Sequence, residues 1–238
     1  MKRETIYGVR PVIEALRSER REVFEVLDAS GNAGVAEAAA ASGIFVKEVP
    51  RARVGELARG QAHQGVVARV GPYPYSGLAE ILAAPFPLLV VLDGVTDPRN
   101  LGAVLRAADG AGAGGVVIPK DRAVDVTAAA VKASAGASEH VPVARETNLR
   151  RAIARIKEAG AWVYAAEVGG TAYTEVDLSG PIALVLGSEG RGVRRLVREG
   201  CDGTLSIPML GVVESLNVSV AAAVLLYEAR RQRGWPRT

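Results

Sequence analysis

The loop and helix at residues 97–112, DPRNLGAVLRAADGAG, set a few polar side chains against a small, apolar helix surface. Asn100 is predicted to cap the helix, and Arg106 is the cation within it. A guanidinium can pair with an anionic ligand. The alternative for Arg106 is an ion pair with Asp109, three residues later, on a solvated helix face.

The segment 184–193, LVLGSEGRGV, is predicted to be a strand followed by a glycine-rich turn and the start of a helix. It is not a dinucleotide fingerprint, because the GxGxxG spacing and the acidic ribose partner are absent. Glu189 would repel a pyrophosphate, so a cationic ligand without phosphates fits better, and S-adenosylmethionine with its positive sulfonium is one. The alternative is a plain strand-to-helix turn that uses glycine for positive φ.

The segment 205–232, LSIPMLGVVESLNVSVAAAVLLYEARRQ, ends a strand at Pro208 and allows a tight turn at Gly211. The helix that follows, from about 217 to 232, is apolar on nearly every face. This pattern predicts a helix buried all round, in the core or against a second subunit. Ser215 and Asn217 stand at its start, where they either cap the helix or hydrogen-bond a nucleoside.

Composition excludes several classes of protein. The chain of 238 residues has 49% hydrophobic residues and a net charge of +3, which leans only slightly toward an anionic partner. One cysteine and two histidines rule out an internal disulfide framework and argue against a structural zinc site. The amino terminus lacks a signal-peptide core and no run is long enough to span a bilayer, so we expect a cytoplasmic protein without a membrane or a metal.

Strand and helix patterns divide the chain into two α/β units. Residues 1–72 are predicted to form a small domain, in which the helix 8–19 carries an apolar stripe. Residues 73–87, rich in proline, are predicted to be a linker with one short helical turn. From residue 88 to 238, apolar strands alternate with helices, and HVPV at 140–143 is predicted to be one of the strands. This alternation predicts a mostly parallel sheet covered on both faces.

The three chemical segments together resemble the signature motifs of the SpoU (TrmH-type) RNA ribose 2'-O-methyltransferase family. DPRNLGAVLRAADGAG, LVLGSEGRGV and LSIPMLGVVESLNVSVAAAVLLYEA stand in the family's order and at family-like spacing. YGVRPVIEAL and AHQGVVARV resemble the small ribosomal-protein-like domain of its rRNA-modifying branch. DGVTDPRNLGA and VIPKDR are most similar to the bacterial enzymes that methylate a guanosine ribose in the peptidyl-transferase P loop of large-subunit rRNA.

The resemblance implies a fold and partners that spacing alone does not give. The fold is α/β, with a small ribosomal-protein-like (L30e-like) domain and a SPOUT-type domain with a carboxyl-terminal deep trefoil knot, an exception to ordinary topology rules. The implied cofactor is S-adenosylmethionine, and the implied partners are large-subunit rRNA or an assembling ribosomal particle and a second copy in a homodimer. The residues that the resemblance assigns to the cofactor are Leu186, Gly187, Gly190, Ile207, Pro208, Met209, Gly211 and Leu216.

Five side chains match the polar positions of the family's motifs, and the resemblance implies their roles. Arg106 would assist deprotonation of the ribose hydroxyl, although its high pKa makes phosphate binding and alkoxide stabilisation physically easier. Asn100 would orient the ribose, and Glu189 would hold Arg106 or the substrate. Ser215 and Asn217 would line the cofactor and substrate pocket.

Other functions remain open at this point. One alternative is 2'-O-methylation of tRNA or of another rRNA nucleotide, including a modification that gives antibiotic resistance. Another is a non-catalytic RNA-binding assembly factor, against which the intact polar positions argue. A nucleotide-binding dehydrogenase is disfavoured because the phosphate loop is absent.

Overall fold

A computed structural model describes residues 3–85 and 87–235. The amino-terminal unit is a four-stranded mixed sheet in the order β1-β4-β2-β3, with β2 and β3 parallel and the other pairs antiparallel. Its apolar helix stripe forms as predicted, with Val12, Ile13 and Leu16 buried. The elements of this unit are β1 (Glu4–Tyr7), α1 (Val9–Ser18), β2 (Val23–Asp28), α2 (Ala33–Ala41), β3 (Val46–Glu48), α3 (Arg51–Leu57) and β4 (Val66–Val70).

The larger unit is a six-stranded sheet in the order β10-β8-β9-β5-β6-β7, and every neighbouring pair is parallel. The predicted parallel sheet is therefore confirmed. Its strands are β5 (Leu88–Asp93), β6 (Gly115–Pro119), β7 (Val143–Glu146), β8 (Trp162–Ala172), β9 (Ile182–Gly187) and β10 (Gly203–Ser206). Its helices are α4 (Leu78–Leu82), α5 (Pro98–Gly110), α6 (Ala128–Ala133), α7 (Leu149–Glu158), α8 (Arg195–Arg198) and α9 (Val218–Arg233).

Both faces of the large sheet are covered. One apolar cluster contains residues of α5 and α9, and the other contains residues of α4 and α7. All six residues of β5 are buried, as its continuous apolar sequence requires of a central parallel strand. The trefoil knot that the resemblance implies stays a prediction.

The two units share one core. The apolar cluster on the α5 face continues into the small unit and includes Ile6 and Val12. Arg21 of the small unit and Glu139 form a buried ion pair between the units. The orientation of the two units is therefore fixed by packing as well as by the chain connection.

The segment predicted to be a linker is packed against this core. Tyr73 is buried, and its hydroxyl donates a hydrogen bond to the carbonyl of Ser138 at 2.8 Å. The predicted helical turn is α4, whose Leu78 and Ile81 are buried beneath the large sheet. One residue of the predicted linker, Phe86, lies outside the described residues. The many prolines therefore mark an irregular path and not a loose tether.

Two local predictions are wrong. The helix α5 begins at Pro98 and is capped by Asp97, whose carboxylate accepts the backbone N–H of Arg99 at 2.8 Å, so Asn100 is not the cap. Proline is favoured in the first turn of a helix because its missing N–H costs nothing there. Residues 137–139 form a 3-10 helix, and the strand predicted at 140–143 begins only at Val143.

The carboxyl-terminal helix is buried on one side in the single chain, and Val220 and Tyr227 on its other side are exposed. That a second subunit covers this other side stays a prediction. The buried side of α9 contains Ala222, Leu225 and Leu226. The helix therefore has one apolar stripe in the core and a second apolar surface open to solvent.

Candidate active site

A cavity of about 690 Å³ lies at the carboxyl ends of β8, β9 and β10. This is the edge at which parallel α/β sheets bind ligands, and the volume is in the range of small-molecule sites. Its walls come from four stretches: residues 166–168 of β8, 186–192 after β9, 205–209 after β10, and 214–221 at the start of α9. The second and third predicted motifs thus meet around one cavity.

The glycine-rich loop after β9 is folded tightly on itself. The backbone N–H of Gly192 donates to the carbonyl of Ser188 at 2.9 Å, and Gly190 and Gly192 both have positive φ. Gly187 is required for another reason, since a Cβ there would lie 1.9 Å from the backbone carbon of Gly192. The loop therefore depends on glycine for both conformation and close approach.

Three of the predicted polar residues form one hydrogen-bonded cluster. The carboxylate oxygen Oε1 of Glu189 accepts an N–H from Asn100 at 2.9 Å and one from Asn217 at 2.7 Å. The same Asn217 amide also donates to the side-chain oxygen of Asn100 at 3.1 Å. Residues from all three motifs, far apart in the sequence, therefore meet at the wall of the cavity.

The start of α9 determines which way the Asn217 amide points. Its oxygen accepts the backbone N–H of Ser219 at 2.9 Å and the hydroxyl of Ser219 at 2.6 Å, so Asn217 caps the helix. The amide nitrogen must then face Glu189. The two roles considered for Asn217, capping and a place in the pocket, are both present.

The remaining predicted site residues divide into two groups. Ser215 and six of the cofactor candidates line the cavity: Leu186, Gly187, Gly190, Ile207, Met209 and Leu216. Pro208 and Gly211 belong to the same loop but are not part of the lining. They shape the turn between β10 and α9.

Arg106 lies apart from the cluster. The helix repeat places it about 120° around α5 from Asn100 and about 9 Å further along. It is exposed, and within residues 3–85 and 87–235 it forms neither a hydrogen bond nor an ion pair, so the alternative pairing with Asp109 is absent. Of the two partners implied for Glu189, Arg106 or the substrate, Arg106 is not in contact with it among the described residues, and Glu189 is bonded to the two asparagines.

Sequence reasoning missed two acidic residues of the cavity. Glu167 of β8 and Glu214 before α9 line it together with Glu189. Glu167 also accepts a hydrogen bond from Arg198 at 3.1 Å. The position of Glu167 follows from the rule that parallel strands meet at their carboxyl ends, once β8 is known to lie beside β9. Three carboxylates around one cavity favour a cationic ligand.

Two classes of feature are not found in the described part of the chain. No group of three or more His, Cys, Asp or Glu side chains there could hold a metal ion. In the same residues, no helix is both long enough and apolar enough to cross a bilayer.

Comparison with known proteins identifies both units. The model of the SpoU rRNA methylase family matches residues 87–227, which contain all three motifs and the cavity. The chain belongs to this family. A second model, for the substrate-binding domain of RNA 2'-O ribose methyltransferases, matches residues 5–76.

Relatives of this SpoU chain match over nearly its whole length. It is 43% identical to YacO of Bacillus subtilis (strain 168), whose name places it provisionally among TrmH family tRNA/rRNA methyltransferases, over 96% of this chain and 95% of YacO. The crystal structure of an AdoMet-bound rRNA methyltransferase from Sinorhizobium meliloti superposes with a TM-score of 0.81 at 30% identity, covering 96% of this chain and 87% of the other.

A tRNA-modifying member of the family matches less of the chain. The TrmH/SpoU enzyme of A. aeolicus has a TM-score of 0.57 at 30% identity and covers 66% of this chain and 80% of its own. The sequence-based recognition of the family and of its α/β fold is confirmed by these matches.

Proposed function

We propose that this protein transfers a methyl group from S-adenosylmethionine to a ribose 2'-hydroxyl of large-subunit rRNA, most specifically a guanosine of the peptidyl-transferase P loop. The observation that carries the proposal is the cluster of Asn100, Glu189 and Asn217 at the wall of a ligand-sized cavity in a SpoU chain. An rRNA substrate would put its site of action in the cytoplasm.

The cavity suits S-adenosylmethionine by its chemistry. Apolar side chains such as Leu186, Ile207 and Leu216 can enclose an adenosine, and the glycine loop exposes backbone groups for hydrogen bonds. The carboxylates of Glu167 and Glu214 attract a cation, and no phosphate-binding loop is present. When bound, this cofactor supplies an electrophilic methyl group on a positively charged sulfur.

The residues of the cluster prepare the site for the hydroxyl. Glu189 accepts two amide N–H groups on one oxygen, which holds Asn100 and Asn217 in fixed orientations. Its other oxygen carries no side-chain hydrogen bond within the described residues, so it can accept the ribose O–H. Holding the ribose oxygen in line with the methyl group is the main contribution that such a site can make.

We assign Arg106 to binding the RNA substrate and not to removing the proton of the ribose hydroxyl. A guanidinium stays charged at neutral pH, so it stabilises a phosphate or a developing alkoxide more easily than it removes a proton. Because it points away from its own chain's cluster, we assign it to an RNA strand along α5 or to the cavity of a second copy in a homodimer.

A homodimer accounts for apolar surface that the single chain leaves exposed. Leu210 and Val212 in the loop before α9 are fully exposed, and Val220 and Tyr227 extend this surface along the helix. Exposed apolar groups that are contiguous with a binding site commonly mark a protein interface. A second copy of the chain would cover them.

The preference for rRNA over tRNA rests on the small unit. Among the matched structures described above, the rRNA methyltransferase covers 96% of this chain, whereas the tRNA-modifying enzyme covers 66%. The P-loop guanosine rests on the segments DGVTDPRNLGA and VIPKDR alone. Methylation of tRNA or of another rRNA nucleotide is the rival within the same chemistry.

The test is transfer of labelled methyl groups to large-subunit rRNA, to partly assembled subunits and to tRNA, with the product nucleotide mapped. We expect label on the ribose of a P-loop guanosine and its loss in Arg106→Ala. Arg151→Ala is the matched control, since Arg151 is an exposed arginine on the distant helix α7. Label elsewhere would move the substrate, and no transfer to any RNA by folded protein would favour the non-catalytic assembly factor.

A further inference from the structure

We propose that Asp93 and Arg194 are positioning residues that hold the glycine-rich loop in its ligand-binding shape. Neither residue lines the cavity, and neither belongs to the polar cluster. The inference rests on the proposed function, because it concerns the same cofactor site. It adds an ion pair on which that site depends.

The pair joins the end of one central strand to the end of the glycine loop. Asp93 is the last residue of β5, and its register partner in β9 is Gly187, the first residue of the loop. Its side chain is completely buried. One oxygen accepts the backbone N–H of Arg194 at 2.8 Å, and the other accepts the Nε–H of Arg194 at 2.7 Å. The second oxygen also lies 2.7 Å from Nη2, which completes the ion pair.

Two hydrogen bonds to one buried carboxylate, together with the ion pair, make this a strong anchor. A carboxylate removed from water must be paired and hydrogen-bonded, so Asp93 holds Arg194 firmly although much of the arginine faces solvent. The backbone bond matters as much as the guanidinium, because it fixes the main chain where the loop ends.

The two amide bonds to Glu189 hold the tip of the loop, but little besides Asp93 holds its carboxyl-terminal end. Residues 189–192 are exposed, and Val193 is the buried apolar residue between Gly187 and Arg194. The hydrogen bond from Gly192 to Ser188 closes the loop on itself but does not tie it to the sheet. Without the anchor, the carboxyl-terminal end of the loop would be free to move away from the cavity.

The same carboxylate links two motifs. Asp93 leads into the connection that carries Asn100 on α5, and Arg194 ends the loop that carries Glu189. The contact between Asn100 and Glu189 therefore rests on two chain segments that Asp93 holds together. Loosening the pair should weaken cofactor binding and also misplace Glu189.

The decisive variants are Arg194→Ala and Arg194→Lys, with Arg195→Ala as the matched control. Arg195 is the next residue, also exposed, and pairs with Glu199 on α8 outside the loop. Calorimetry measures the Kd for S-adenosylhomocysteine, and steady-state kinetics give KM for S-adenosylmethionine and for RNA. Hydrogen exchange reports the amide protection of Gly192.

For Arg194→Ala we expect about a tenfold weaker Kd, a lower kcat and an unchanged KM for RNA, as expected for losing hydrogen bonds to a charged group. Arg194→Lys should recover part of the affinity, because an ammonium can reach the carboxylate but cannot reproduce the two-nitrogen contact. Gly192 should exchange faster in Arg194→Ala, and Arg195→Ala should match wild type in every readout.

Two results separate this inference from the proposed function. If wild type binds S-adenosylhomocysteine and Arg194→Ala binds it equally well, the positioning role is wrong. If wild type does not bind it, the proposed function fails, and exchange at Gly192 still tests the anchor: unchanged protection in Arg194→Ala would overturn it.

Discussion

Replacing Gly187 with alanine should weaken cofactor binding about a hundredfold while leaving the fold largely intact. A Cβ at this position would lie 1.9 Å from the backbone carbon of Gly192, 2.1 Å from its carbonyl oxygen and 2.2 Å from the nitrogen of Val193. Carbon atoms in contact sit about 3.5–4.0 Å apart, so the backbones must separate by about 1.5 Å. All three neighbours are main-chain atoms, so no side-chain rotation can relieve the clash.

We expect the glycine-rich loop, and not the sheet, to move and relieve this clash. Overpacking of this kind costs about 1–3 kcal/mol, and the exposed loop can lower that cost by moving outward. Such a movement breaks the bond from Gly192 to Ser188 and the two amide bonds to Glu189, each contributing about 0.5–1.5 kcal/mol. Restoring the loop for binding would then cost about 3 kcal/mol, which corresponds to roughly a hundredfold weaker Kd.

Calorimetric titration with S-adenosylhomocysteine measures the affinity, and thermal unfolding measures the stability. Gly190→Ala tests backbone strain without a steric clash. Gly190 has a positive φ, but a Cβ there would meet no atom within 4 Å, so the variant should cost only about 1 kcal/mol of backbone strain. Gly180→Ala, with open space and no positive φ, should behave as wild type. Wild-type affinity in Gly187→Ala would show that the loop is not the cofactor site.

Three further predictions concern stability and reactivity. Gly102→Ala should lower the free energy of unfolding by about 1–3 kcal/mol in denaturant titrations, because its Cβ would lie 2.5 Å from the Cβ of Ala133 where α5 packs on α6. Hydrogen bonds from Arg231 and Gln232 lower the pKa of Glu228 to about 2. The charged carboxylate therefore stabilises the folded protein above the unfolded pKa near 4.5, and this stabilisation is lost as the pH falls toward 2. Glu228→Gln should be less stable than wild type at pH 7 and equal to it near pH 2. Burial raises the pKa of Cys201 to about 12, so a thiol reagent at pH 8 should react slowly with folded protein and rapidly in urea.

A different experimental result would contradict each of these three predictions. Unchanged stability of Gly102→Ala would mean that α5 and α6 are not in close contact. A stability difference for Glu228→Gln that persists at pH 2 would assign its effect to packing. Rapid modification of Cys201 without denaturant would place the thiol at the surface.

Most helices and strands could be predicted from the sequence, because each depends on a local pattern of apolar residues. Apolar runs gave β5, β6 and β9, and the alternation of strands with helices gave a parallel sheet. The order of the strands was not readable, since pairing between Leu88 and Ile182 depends on packing and leaves no local trace. The cap of α5 could have been predicted correctly, because Pro98 after Asp97 is a stronger signal than Asn100 alone.

The sequence predicted the three segments of the site but not the contacts between them. The contact of Glu189 with Asn100 and Asn217 requires the carboxyl end of β9 to meet the starts of α5 and α9. The family resemblance implied that Glu189 would hold Arg106 or the substrate, but Arg106 points elsewhere on the helix. Asp93 looked like the end of a strand, and nothing local indicated that its carboxylate would bind Arg194.

The order of the strands also affects how the chain is assembled during synthesis. β1 to β4 all lie before residue 71, so the small sheet can close early on the ribosome. The pairing of β5 with β9 must wait for Ile182 and beyond, and contacts this distant in sequence form slowly. Arg21 therefore keeps its hydration until Glu139 has emerged. A ribosome paused between these points would carry a small unit whose shared core and ion pair with Glu139 are still incomplete.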